Sequence, residues 1–121
     1  MANRSIVHVE IPAKSRDAAA KFYQELFGWE YQHMEGSMPY TTFKSGNTGG
    51  GFPDVSQNNP AGQVLVYISS DDIEADLKKA EGLGGKILMG KTEVPTFGWF
   101  GIFADPTGNP IAVWKEMAPQ G

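Results

Sequence analysis

An α+β fold of two tandem βαβββ modules in an open, curved mixed sheet is what this sequence predicts. Three observations predict it. An alternating apolar run followed by a helical stripe occurs twice. The two occurrences superpose at an offset of 57 residues, so that His8 meets Leu65, Glu10 meets Tyr67 and Gly28 meets Gly85. Only one stretch between them, residues 54–62, has the Pro, Asn, Ser and Gln content of a linker.

The elements follow in order. Ser5 to Ile11 alternates Val7, Val9 and Ile11 with His8 and Glu10, the pattern of a half-buried strand, and Pro12 ends it. Ser15 is a good N-cap for a helix whose Ala19, Phe22, Tyr23 and Leu26 fall at helical spacing, and Gly28 closes it. Trp29 to Met34 is the second strand, with His33 read as exposed, and a turn at 36–39 follows. Tyr40 to Lys44 is the third strand, Gly46-Asn47 a hairpin turn, and Thr48 to Phe52 a fourth strand weakened by three glycines. In the second module Val64, Val66 and Ile68 alternate with Leu65 and Tyr67. Asp71 and Glu74 read as a capping box, Ile73, Leu77 and Ala80 as the buried stripe, and Gly84-Gly85 as the stop. Lys86 to Met89, extending toward Val94, is the next strand. The last two flank Asp105-Pro106-Thr107-Gly108-Asn109, a strong turn signal. Module one thus covers about residues 4–55 and module two about 63–117, within one domain of residues 1–121.

Composition narrows the function classes. A net charge of -4 without a basic block argues against a nucleic-acid partner. The absence of cysteine removes disulfides, thiolate catalysis and thiolate metal sites. No apolar run is long enough for a membrane span or signal peptide, and a cytoplasmic location is the expectation. The glycine-rich stretch 46–51 lacks the Lys-Ser/Thr ending of a phosphate loop, and no Gly-x-Ser-x-Gly elbow is present.

If the Val/Ile sides of the strands pack on the helices, the other sides are left to line a small-molecule pocket. His8, Glu10, Leu65, Tyr67, Ala112 and Trp114 fall on that side, joined by Tyr40 or Thr42 from the third strand and Trp99 or Phe103 from the seventh. An apolar, aromatic wall with a few polar anchors is how such sites are usually built. Burying Glu10 ionised is costly without a partner, so it must pair, border water or titrate high. In the last case His8 and Glu10 form a weak acid–base pair, the only catalytic candidates in the chain.

Five runs carry a family resemblance. These are His8-Val9-Glu10-Ile11-Pro12-Ala13, Phe22-Tyr23 leading to Leu26-Phe27-Gly28-Trp29, Asp71-Asp72-Ile73-Glu74-Ala75, Leu83-Gly84-Gly85, and the turn at 105–109. Together they resemble the vicinal oxygen chelate superfamily of glyoxalases, bleomycin-resistance proteins, extradiol dioxygenases and fosfomycin-modifying enzymes. The resemblance implies the glyoxalase/bleomycin-resistance half-barrel and a homodimer. In enzymatic members it implies a divalent metal held by inward strand residues. His8 occupies the first such position, but Leu65 and Ala112 stand at two others and Gly49-Gly50-Gly51 near the fourth. Leucine and alanine cannot ligate. The expectation is therefore a binding protein with no metal or other cofactor, its small-molecule ligand contacted by His8, Glu10, Tyr40, Thr42, Leu65, Tyr67, Trp99, Phe103 and Trp114. The alternative is a metal-dependent lyase, isomerase or dioxygenase, with Glu10 and Glu116 joining His8 as ligands.

Overall fold

The computed structural model describes residues 4–36 and 39–117. The expected turn at 36–39 lies partly outside these residues. Two helices and eight strands give the α+β class, with mixed, open sheet. The strands are β1 (Ile6–Glu10), β2 (Glu30–Met34), β3 (Tyr40–Ser45), β4 (Thr48–Phe52), β5 (Leu65–Ser69), β6 (Lys86–Val94), β7 (Gly98–Ala104) and β8 (Pro110–Glu116); the helices are α1 (Arg16–Phe27) and α2 (Ile73–Gly82). The chain divides into two compact units, Val7–Val66 and the pair Met1–Ile6 with Tyr67–Gly121.

In the unit Val7–Val66 the strand order is β2-β3-β4-β1. β1 runs parallel to β4, pairing His8 with Gly49 and Glu10 with Gly51. β3 is antiparallel to β2 and to β4. Helix α1 starts where the Ser15 hydroxyl accepts from the Ala18 amide at 3.2 Å. It ends at Gly28, whose φ of 76° places it in the left-handed region and whose amide reaches the Gln24 carbonyl at 2.8 Å. One face of the sheet packs on α1 through Ala13, Ala20, Phe43 and Phe52, with Val9, Ile11, Tyr23, Trp29 and Tyr31 around them. Each buried phenylalanine contributes about 1.5–3 kcal/mol by leaving water. The expected stripe of α1 is corrected in part. Ala20 is buried and Ala19 and Tyr23 half-buried, but Phe22 and Leu26 point outward, 59% and 58% exposed.

The triple glycine of β4, read in the sequence as a weakness, makes close packing possible. A Cβ on Gly50 would overlap the Val9 carbonyl and the Phe43 ring, and one on Gly51 would overlap the Tyr40 hydroxyl. Gly50 therefore serves the helix-side core, and Gly51 the opposite face.

The second unit has the order β5-β8-β7-β6, with β5 parallel to β8 and the remaining pairs antiparallel. Its helix is capped by Asp72, one residue later than the sequence pattern suggests; the carboxylate accepts from the Ala75 amide at 3.0 Å. Ile73, Leu77 and Val113 form its core. The 105–109 turn is held by one side chain, because Asp105 Oδ1 accepts from the amides of Thr107, Gly108 and Asn109 at 2.9–3.0 Å. Those hydrogen bonds, led by the one from Asn109, hold the Asp105 carboxyl below its usual range.

Candidate functional site

On the face of the first unit turned away from α1, the β1–β4 register sets His8 and Glu10 beside Gly49 and Gly51, and Thr42 opposite Gly51. Tyr40, two residues before Thr42 on the same face, reaches across the space left by Gly51. Its hydroxyl donates to Glu10 Oε2 at 2.7 Å and lies 3.1 Å from His8 Nε2. His8 Nε2 and Glu10 Oε2 are 3.9 Å apart, so the phenol bridges them. The rings of His8 and Tyr40 stand 22° from parallel. The Glu10 side chain is 17% exposed and that of His8 31%. Burial lowers the His8 pKa below its ordinary value, against the pull of the Glu10 charge. The structure thus brings together three predicted residues, His8, Glu10 and Tyr40. Thr42 shares their face, and its hydroxyl makes only a long contact to the Gln32 carbonyl, at 3.5 Å.

Leu65 and Tyr67 share one face of β5, and both are buried. Within the second unit, Tyr67 pairs with Ala112, and Trp114 with Phe100. The Tyr67 ring meets those of Phe100 and Trp114 at 6.4 and 6.5 Å. This aromatic group faces away from α2. Trp99 and Phe103 do not belong to it. They pack on the helix side against the Ile73, Leu77 and Val113 core, and Lys91 Nζ sits 5.2 Å from the Trp99 ring centre. The cause is register: β7 pairs with β8 so that Phe100 stands opposite Trp114. The β7 residue on the predicted face is therefore Phe100, which the sequence reading missed.

Two depressions are lined mainly by other residues. A polar one of about 530 Å³ is bordered by Lys14, Arg16, Asp17, His33, Glu35 and Asp54. A more apolar one of about 370 Å³ lies along α2, and Phe103 is the one predicted ligand contact on its wall. His33 is exposed, as the sequence reading has it, and both its nitrogens have partners, Thr41 Oγ1 at 2.7 Å and Asp17 Oδ1 at 3.3 Å. Alternation along β2 could have placed it on the helix side with Tyr31.

A divalent ion of the kind the resemblance implies needs three or four converging donors. Among the described residues, no three His, Asp or Glu side chains come together in that way. His8 and Glu10 are two, and buried Leu65 and Ala112 stand at the other expected positions, so this donor set does not fit the ion. No described helix is long and apolar enough to cross a membrane.

Comparison with known proteins agrees with this architecture. The anthracycline biosynthesis protein DnrV of Streptomyces peucetius is 30% identical over 86% of this chain, which spans only 44% of that protein's length. A glyoxylase-like domain-containing protein of Didymella fabae is 32% identical, covering 87% of this chain and 88% of its own. Among solved structures, hypothetical protein BH1468 of Bacillus halodurans superposes with a TM-score of 0.77 at 12% identity, over 98% of this chain and 99% of that one, a likeness of fold alone. The profile of the Glyoxalase/Bleomycin resistance protein/Dioxygenase superfamily matches residues 5–113, and the chain belongs to that superfamily.

Proposed function

We propose that this chain binds a small, partly aromatic molecule without a metal, and that His8, Tyr40 and Glu10 are its polar anchors. The observation that carries this reading is the hydrogen-bonded chain from His8 through Tyr40 to Glu10 on the sheet face turned away from α1. A half-buried carboxylate and imidazole, held in place by a phenol that needs a glycine behind it, is a costly arrangement for a purely structural surface. In the second unit, taken by itself, Tyr67, Phe100 and Trp114 group on the face turned away from α2. The relative named for anthracycline biosynthesis supports a small-molecule role. A homodimer belongs to the same proposal, as does a cytoplasmic setting.

The test is a screen of aromatic small molecules by tryptophan fluorescence on protein stripped with a chelator. A saturable response is expected, unchanged by divalent ions and weakened at least about tenfold by His8→Ala, the equivalent of about 1.4 kcal/mol. Binding that disappears on chelation and returns with one equivalent of metal would reject the metal-free reading. A panel with no responding compound would reject ligand binding of this class.

A further inference from the structure

The depression along α2 has an apolar floor and two firmly held walls. Ile68 and Val113, paired across β5 and β8, make the floor with Ala80 and Phe103. One wall is the end of α2. Gly84, at a φ of 101°, turns the chain out of the helix, and the Gly85 amide donates back to the Ala80 carbonyl at 2.9 Å. A Cβ on Gly85 would overlap the Ala104 carbonyl, so glycine lets this helix end close on β7. The other wall is the 105–109 turn, whose Pro106 ring lies beside Gly84. Leu83 borders the depression at 72% exposure, the highest among the described large apolar side chains. Four charged side chains, Arg4, Asp76, Lys79 and Asp105, complete the border. Three of them are engaged within the fold. Arg4 holds the Asp76 carboxylate by two hydrogen bonds, and Ser70 donates to the same group. Asp105 accepts three amides of its own turn on one oxygen and the Asn109 side chain on the other. Lys79 acts on Asp76 only through space and, among the described residues, forms no hydrogen bond or ion pair.

We infer that this depression is a ligand site in its own right, for a small amphiphilic monoanion of the medium-chain carboxylate class. The alkyl body lies on Ile68, Phe103 and Leu83, and the carboxylate meets the Lys79 ammonium. Charge complementarity sets the head group, because Lys79 is the one bordering charge with its hydrogen-bonding capacity unspent. A cationic head would be repelled there, and a neutral one would leave the ammonium unpaired. The floor sets the body, since covering Leu83 and the half-buried Ile68 and Phe103 removes apolar surface from water. A volume of about 370 Å³ falls within the range of small-ligand pockets. Walls pinned by glycine and by the Asp105 turn spare the ligand the cost of ordering them. The inference does not rest on the binding role proposed above, which uses other residues.

Titration of the full chain with octanoate, followed by amide NMR, tests the inference. Saturable shifts are expected in residues 79–85 and 105–108, with the amides of β1 and β3 unmoved. Binding should tighten about twofold or more for each methylene added from hexanoate to octanoate. Lys79→Gln should weaken octanoate about threefold, the scale of an exposed ion pair, and leave octanol binding unchanged. Leu83→Ser should weaken both compounds. Lys79 and Leu83 are exposed, so neither change removes a core contact. Octanol bound as tightly as octanoate, or octanoate indifferent to Lys79→Gln, would overturn the anionic head group. The absence of a saturable shift, or shifts confined to β1 and β3, would overturn the site. A dimer that excludes octanoate and is broken by Leu83→Ser would assign this surface to a second copy of the chain, and would overturn it as well.

Discussion

Burial and charge act on the His8 imidazole in opposite directions, and burial prevails. The consequence for stability has a definite sign. With the folded pKa below the ordinary 6.5, the unfolded chain binds more protons in the interval between the two values. The contribution of neutral His8 is complete above about pH 6.5 and is lost as pH falls through the folded pKa. Denaturant titrations of wild type and His8→Gln, from about pH 8 down to about pH 5, should diverge. The wild type should lose more stability than the variant. Because His33 is present in both, the difference reports His8 alone, and parallel curves would mean that burial does not control this group. Alternation along β1 made the shared face of His8 and Glu10 legible in the sequence. The role of Tyr40 was half legible. Its strand was evident, but the space it needs comes from Gly51 through a β3–β4–β1 register that no local pattern encodes.

Periodicity located the helices and strands but left their rotation and register open. In α1 the apolar positions 22, 23, 26 and 27 make a stripe too wide to face one surface. The stack of Tyr23 on Trp29 and Phe52, at 5.2 and 5.7 Å, decides which half turns inward. Phe22, Leu26 and Phe27 are left 58–59% exposed. In β7 the same ambiguity put Trp99 and Phe103 on the wrong side, since two-residue alternation is clear while its phase against β8 is not. The 105–109 turn and the Gly28 cap were fully legible because each depends on residues within a few positions. The dimer expectation comes from the family resemblance, and the exposed apolar side chains of α1 are where it can be tested. Covering a Phe or Leu contributes about 1.5–3 kcal/mol against an association cost of about 4–15 kcal/mol, so Phe22 and Leu26 would contribute to an interface without making one alone. Sedimentation should show a dimer for the wild type. For Phe22→Ser/Leu26→Ser the dimer should weaken at least about a hundredfold, with the thermal midpoint of the monomer preserved. A monomeric wild type would show that these side chains serve another purpose.

At the scale of the whole chain, the compact units do not coincide with the sequence modules. Residues up to Ile6 group with Tyr67–Gly121, although they precede the first module's helix by ten positions or more. The physical link is explicit. Arg4 forms two hydrogen bonds to the Asp76 carboxylate at 2.8 and 2.9 Å and a third to the Ser69 carbonyl, and the Ser69 amide reaches the Ser5 carbonyl at 2.9 Å. Burial would raise the Asp76 pKa, but the hydrogen bonds from Arg4 and Ser70 outweigh it, and the carboxyl titrates below its ordinary value. Arg4 thus ties the start of the chain to the first turn of α2, which the 57-residue repeat gives no reason to expect. Because the arginine is more than half exposed, its loss should be modest, about 1 kcal/mol. Its distribution is the more telling measurement. In Arg4→Ala, hydrogen exchange should accelerate at the α2 amides following Asp72 and at Ser69, while β3 and β4 exchange as before. Uniform acceleration would show that the tie stabilises the fold as a whole. No change at α2 would show that Ser70, at 2.6 Å from the same carboxylate, holds Asp76 without the arginine.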